Sequence, residues 1–391
     1  MTKPTCGEPI IRKVGAVALE LRRIIILRLS VRLLHLAVLV SVILLLPSAG
    51  YATGGQWVKY SGNPVLVPTA GGWDNDYVVS PRALFNGTNY RMWYDGGSAG
   101  VAAIGYATST DGVTWSKYPS PVLSPGAQGA WDSGSVTVGS VIWNGTVFLM
   151  LYGGSNTTSS GGAIGLATSK DGISWVKYSG NPVLERSLSG PDQSYMASPY
   201  VIKLTTEYWM WYTGRNTTYP EPNSVARILA ATSYDGISWT KNPSPAITPS
   251  SNSTAWDSGS VYSASVIFDG TNFGLWYTGT NQSYMRPQIG FASSLGGGNW
   301  TRSGLNPIVG PGVPGSWDSA GVEQPSVIVG GDGFMLYYDG FSQNTGGRIG
   351  LAIGPHNFVI PEFSAPALDL LLGVIISTTV SFAIIKRQPE H

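Results

Sequence analysis

Short runs in which apolar and polar residues alternate recur along the chain, four to a unit. In the first unit Val78 to Phe85 reads as a strand, Asn86-Gly87-Thr88 as a hairpin turn and Tyr90 to Tyr94 (YRMWY) as a second strand. A Gly-rich loop leads to a third strand, Ala103 to Thr108, and the turn Thr110-Asp111-Gly112 leads to a fourth through Trp115. Alternation with period two, broken by N-G and D-G turns, is the pattern of antiparallel hairpins. The stretch IGYATSTDGVTWSKYPSPVL from Ile104 returns from Ile164 and Ile228, and more loosely from Ile289. Its Trp residues (Trp57, Trp115, Trp175, Trp239 and Trp300) stand 58, 60, 64 and 61 residues apart. A period near sixty with four antiparallel strands per unit describes propeller blades.

The fifth unit supplies three strands, Val322 to Val329, Phe334 to Tyr338 and Arg348 to Ile353, and no S-x-D-G-x-x-W follows Gly354. The missing strand stands at the other end, as Trp57-Val58-Lys59-Tyr60. The sequence therefore predicts an all-β fold, a five-bladed β-propeller over residues 53–356, whose last blade is completed by the N-terminal strand so that no sheet edge stays open. In such blades the loop entering the first strand and the loop joining the second and third share one face. That face receives the loops that vary most between units, among them GRNTTYPEPNSVA and GTNQSYMRPQ, and function on a rigid scaffold concentrates in such loops.

Composition adds limits. Gly, Trp and Tyr are plentiful and charged residues make up 12% of the chain, which suits many short strands with aromatic filling. Between Thr53 and Ile385, 14 Lys and Arg face 19 Asp and Glu, so nucleic acid is not an expected partner. The one cysteine, Cys6, precedes the domain, which leaves neither disulfides nor a thiolate metal site within it. Arg22, Arg23, Arg28 and Arg32 precede the apolar run Leu36 to Leu46 and then PSAGYA, the order of a signal peptide over residues 1–52, with an uncleaved anchor as the alternative. At the other end (357–391), a linker precedes the uncharged run Leu370 to Ile385, and Lys386 and Arg387 follow it. With its flanks this run predicts a transmembrane helix and a membrane-attached, outward-facing domain. Seven N-x-S/T sequons, at Asn86, Asn144, Asn156, Asn216, Asn252, Asn281 and Asn299, agree with a glycoprotein on the extracellular side.

Repetition separates architecture from candidate chemistry. The turn residues Asp111, Asp171 and Asp235 recur and read as acceptors of backbone amides. The pairs Trp73-Asp74, Trp131-Asp132, Trp256-Asp257 and Trp317-Asp318 occur in four units, with Pro191-Asp192 in the third, and read as packing and capping residues. Aligned on these pairs, Glu323 stands against Val79, Thr137, Ala197 and Tyr262, and Asp76 against Gly134, Ser194, Gly259 and Ala320. Both acids occur once, on blades that a closed ring makes neighbours. Such a carboxyl pair suits glycoside hydrolysis, one acid protonating the leaving oxygen and the other activating water or attacking. Asp95 and Asp339 stand near the ends of the second strands of the same two blades. Asp95, Asp339, Arg82, Gln324, Tyr195, Tyr284 and Arg286 are candidate sugar contacts.

The order of a Pro-containing first strand, an aromatic second strand, I-G-x-A-T-S-x-D-G-x-x-W and N-P-V-L resembles the five-bladed propeller glycosidases, comprising glycoside hydrolase families 32, 43 and 62 and the mannoside phosphorylases of family 130. The resemblance spans Trp57 to Gly354 and implies a carbohydrate-active enzyme. Glu323-Gln324-Pro325 fits the general acid of family 43, a Glu two residues before a Pro, which implies Glu323 as acid; Asp76, Asp95 or Asp339 has to supply the second carboxylate, and Asp76, singular and on the neighbouring blade, is the expected base. Other places where family 43 carries acids hold Ser80, Val138, Ser198 and Ser263, and Gln324 stands where family 130 carries an Asp. These departures keep open a second expectation, a non-catalytic glycan-binding or cell-envelope scaffold on the same fold. No cofactor is expected; such folds can hold a structural calcium, but the sequence contains no dedicated ligand set. The turn unit is similar to the Asp-box of sialidases, one residue shorter and without an evident arginine triad. Pro361-Glu362-Phe363 before the apolar tail resembles the Pro-Glu-Phe sorting signals of archaeal surface proteins, which implies enzymatic removal of the helix.

Overall fold

The computed structural model describes residues 57–354 apart from 157–158, 218–223, 284–285 and 331–332. The expected signal segment, transmembrane run, sorting signal and Tyr284 lie outside the described residues. Strand β1 (Val58–Lys59) precedes the first blade, formed by β2 (Tyr77–Phe85), β3 (Tyr90–Ser98), β4 (Val101–Ser109) and β5 (Ser116–Lys117). The second blade is β6 (Ser135–Trp143), β7 (Phe148–Asn156), β8 (Ser159–Ser169) and β9 (Val176–Lys177). The third is β10 (Tyr195–Lys203), β11 (Tyr208–Arg215), β12 (Ala226–Ser233) and β13 (Thr240–Lys241). The fourth is β14 (Ser260–Phe268), β15 (Phe273–Thr280), β16 (Gln288–Ser294) and β17 (Thr301–Arg302). The fifth contains β18 (Gly321–Gly330), β19 (Gly333–Ser342) and β20 (Thr345–Ile353), and β1 lies antiparallel against β20, Val58 opposite Ile353. The five-bladed ring and its closure are those the repeat count predicts.

Each second strand runs beyond the YRMWY-like core, because its backbone continues to pair with the third strand, as in Gly97 opposite Ala102 and Ser98 opposite Val101. Asp95 and Asp339 therefore sit inside β3 and β19 and not at their ends. The spaces between blades are filled by apolar side chains. Val78, Met92 and Tyr94 of the first blade pack with Tyr337, Ile349 and Leu351 of the fifth.

The recurring Asp has one function in all five blades. Asp74, Asp132, Asp192, Asp257 and Asp318 are buried. Each accepts the hydroxyl of the Tyr twenty residues on (Tyr94, Tyr152, Tyr212, Tyr277, Tyr338) at 2.9–3.3 Å. Each also pairs with a cation of the outermost strand: Lys117, Lys177, Lys241, Arg302 or, across the closure, Lys59. Burial by itself would raise the Asp74 and Asp192 carboxyls, yet Lys117 and Lys241 hold them below their usual value. The third blade, which lacks the Trp, keeps the ionic pair. The turn carboxyls Asp111, Asp171 and Asp235 accept two backbone N–H groups each, and those donors, led by Thr114, Ser174 and Ser238, depress their pKa.

Candidate active site

The site forms where the five inner strands begin. Four of them carry a bulge at an equivalent place, between Val79 and Arg82, Ala197 and Tyr200, Tyr262 and Ser265, and Glu323 and Ser326. At each bulge a non-glycine residue is left-handed: Ser80 (φ 54°), Ser198 (50°), Ser263 (51°) and Gln324 (54°). Such a conformation costs about 1–3 kcal/mol per residue and tends to mark functional sites. The bulge side chains bond between neighbouring blades. The Ser80 hydroxyl donates to Gln324 Oε1 at 2.6 Å and that of Ser263 to Ser198 Oγ at 3.3 Å.

One step further in, side chains of second strands reach the bulge of the next blade. Asp95 Oδ1 accepts the N–H of Val138 at 2.6 Å, Thr213 Oγ1 that of Ser263 at 3.0 Å and Thr278 Oγ1 that of Gln324 at 2.9 Å. Asp95, 3% exposed, is thus a latch between blades. Burial raises its carboxyl to about 7 against the Val138 N–H, Ser80 and Arg82. Arg82 is also buried. Its Nε and Nη1 donate to the carbonyl oxygens of Gly139, Pro81 and Pro325, so three blades are tied below the mouth, and at 3% exposure Arg82 is too deep to meet a sugar. Two of the residues expected to touch substrate are thereby placed in the ring's interior.

The Asp95 carboxyl gives a stability prediction with a definite sign. A folded-state pKa raised from 3.8 to about 7 contributes stability that is full below the unfolded pKa and is lost as pH rises through the folded one. At about 1.4 kcal/mol per unit the loss is of order 4 kcal/mol between about pH 4 and pH 8. Asp95→Asn keeps an acceptor for Val138 N–H, and its melting temperature is expected to fall less over that range than that of the native protein. Parallel melting curves would disprove the assignment.

Glu323, third residue of β18, is half-buried at the mouth, and its Oε2 accepts the Tyr262 hydroxyl at 2.6 Å. Burial raises its pKa while the Tyr262 hydrogen bond opposes the rise. Directly across the ladder stands Asp339, 2% exposed. Its carboxyl is pushed well above the ordinary value by burial, then by the charge of Glu323. Tyr195 lies further up the mouth with the Arg215 guanidinium 5.9 Å from its ring centroid. Asp76 is exposed at the rim, where Oδ1 accepts Asn75 Nδ2 and Oδ2 accepts the Ala99 N–H at 3.0 Å. A Cβ added at Gly346 of β20 would lie 2.2 Å from the Asp76 carbonyl oxygen, so blades one and five do meet beside this acid. Arg286 is exposed in the loop before β16, also left-handed (φ 61°). Among the described residues no group of three or more His, Cys, Asp or Glu is arranged to hold a metal ion.

Sequence reasoning aligned Glu323 with Tyr262 but did not see that the two bond, nor that Asp339 is the ladder partner of Glu323. The alignment itself held the signal. Val79, Thr137, Ala197, Tyr262 and Glu323 pair with Asp95, Gly153, Thr213, Thr278 and Asp339 in one register.

The family model described as glycosyl hydrolases family 32 N-terminal domain matches residues 85–225 and 219–351. An uncharacterized protein of Mycobacterium tuberculosis is 31% identical over 240 residues, which are 60% of this chain and 76% of the relative. The 1,2-beta-oligomannan phosphorylase of Thermoanaerobacter sp. (strain X514) is 26% identical over 268 residues, 65% of this chain and 81% of its own. A solved structure from the family 130 mannoside phosphorylases, described as containing glycoside hydrolases that target beta-1,2 mannosidic linkages in Candida mannan, superposes with a TM-score of 0.59. At 18% identity it covers 78% of this chain and 95% of that one, a likeness of fold.

Proposed function

The chain belongs to the family described as glycosyl hydrolases family 32 N-terminal domain, and we propose that it cleaves glycosidic bonds of polysaccharides or oligosaccharides with Glu323 as proton donor. The observation that carries this reading is the Glu323 carboxyl itself. It is held by Tyr262 at the mouth and raised by burial, so it can bring a proton to the leaving oxygen. Of the four acids marked in the sequence, Asp76 is the one exposed to solvent. Water activation therefore falls to Asp76, because that step needs a carboxylate with access to water. Tyr195 and Arg286 line the approach, and Gln324 is anchored by Ser80.

The test is turnover on mannosides, fructosides, xylosides and arabinofuranosides, with and without inorganic phosphate. β-1,2-mannosides are tried first because the Thermoanaerobacter relative is named a 1,2-beta-oligomannan phosphorylase. Asp76→Ala should lose most turnover and regain part of it with azide, a small external nucleophile. Turnover only with phosphate would redirect the reading to phosphorolysis. Glycan binding without turnover would favour the scaffold reading, for which Ser80, Ser198 and Ser263 at the bulges speak.

We also propose that the propeller is exported and held at the cell surface. The apolar runs Leu36 to Leu46 and Leu370 to Ile385 support this, as do exposed sequons at Asn86, Asn252, Asn281 and Asn299. Protease added to intact cells should remove the domain; full protection would refute surface exposure.

A further inference from the structure

We propose that Glu323 and Asp339 act as one dyad sharing a single proton, with Asp339 a positioning residue that keeps Glu323 supplied with it. The proposal deepens the glycosidase reading and rests on it for its catalytic consequence, though not for the existence of the dyad. Four observations carry it. The two residues are direct partners in the β18–β19 ladder, which puts their side chains on one face with Cβ atoms about 4.5–5.5 Å apart. Asp339 is 2% exposed, so it cannot meet a sugar directly. Among the described residues its Oδ1 is buried without a hydrogen-bond partner, an arrangement that costs least when the carboxyl is neutral or shares a proton. Glu323 already accepts the Tyr262 hydroxyl and so is the member better able to bear charge.

The surrounding groups do not supply a substitute counter-charge. Tyr262 on β14 is itself held protonated by burial and by Glu323, with Asp339 adding to this and Arg215 on β11 opposing it. Arg82 on β2 favours ionisation of Asp339, but its Nε and Nη1 donate to the carbonyl oxygens of Gly139, Pro81 and Pro325, and burial together with Glu323 outweighs its charge. Asp95 on β3 adds a further like charge. Two carboxylates on facing ladder positions, one buried and one half-buried, cannot both ionise readily, and the pair loses its protons in two macroscopic steps. Between those steps one proton remains. The one proton can rest on either carboxyl: Asp339 hands it to Glu323, Glu323 gives it to the leaving-group oxygen, and a proton released from the attacking water returns through solvent to restore the single proton of the pair. No oxidant or further reactant is needed.

The experiment pairs two readouts on the full chain: a pH profile of kcat/KM and an infrared titration of protonated carboxyl groups. Asp339→Asn removes the second step, so Glu323 should deprotonate at least one pH unit lower. The alkaline limb of kcat/KM moves down with it, a tenfold loss above the new limb, while KM changes little. Asp339→Glu should restore the limb. In the infrared titration, native protein keeps a protonated carboxyl to higher pH than either Asp339→Asn or Glu323→Gln. An Asp339→Asn profile scaled down uniformly without moving its limb would make Asp339 merely structural and overturn the proposal. So would titrations of native and variant proteins that superimpose. If no substrate is turned over, the infrared readout still decides the dyad, and only the glycosidase reading fails.

Discussion

Glu323→Gln is expected to lower kcat by about 10²–10⁴-fold, the usual range for a lost general acid, with the melting temperature close to native. The amide keeps an oxygen for the Tyr262 hydroxyl and nearly the same volume, so packing at the mouth should survive. What it lacks is a transferable proton. The deficit should be largest on substrates with poor leaving groups and should shrink on activated aryl glycosides, because a good leaving group needs little protonation. A variant as active as the native enzyme on natural substrates would remove Glu323 from the mechanism. A variant equally slow on both substrate types would point to lost binding or geometry.

Asp318→Ala is expected to destabilise the propeller by about 3 kcal/mol, the low end for one partner removed from a buried ion pair. The Asp318 side chain is 4% exposed, whereas Lys59, 2.5 Å away, is 29% exposed and can turn toward water once unpaired. The Tyr338 hydroxyl, buried and bonded to Asp318, has no such escape and adds to the cost. The urea midpoint should fall accordingly, and a change below about 0.5 kcal/mol, as for an exposed pair, would contradict the role given to this contact. Asp132→Ala removes the same kind of pair inside the second blade. Comparing the two separates the ionic contact from its place at the closure, since only Asp318 holds the N-terminal strand.

The blade count, the closure and the structural turns are legible in the sequence because they repeat. Five spaced Trp residues fix the period, and an orphan W-x-K strand at one end matches a three-strand unit at the other. The Asp–Lys pairing was within reach as well. Lys or Arg follows two residues after each of the five Trp residues, Lys59 to Arg302, and Asp192 is kept in the third blade even where Pro191 replaces the Trp. The site is harder to see. Whether an acid faces the mouth or the next blade depends on a bulge, and a left-handed Ser80 or Gln324 leaves no mark that distinguishes it from an ordinary strand residue. Asp95 and Arg82 look like candidate chemistry for that reason, yet both join blades: Asp95 does for the second blade what Thr213 and Thr278 do for the fourth and fifth, and the Arg82 guanidinium bonds carbonyl oxygens of three blades.

The strand that completes the fifth sheet also sets a timetable. Val58 leaves the ribosome long before its partner Ile353, and at about 5–20 residues per second the interval is roughly 15–60 s. Throughout that time the first segment made has no sheet to join, and four blades can assemble around an axis that is still open. A chain halted anywhere before β20 would expose both the waiting strand and the inner face of the first blade, surfaces that invite pairing with other chains. The ring therefore makes its own completeness a condition of solubility, and truncated products should be cleared or aggregate while full-length chains persist.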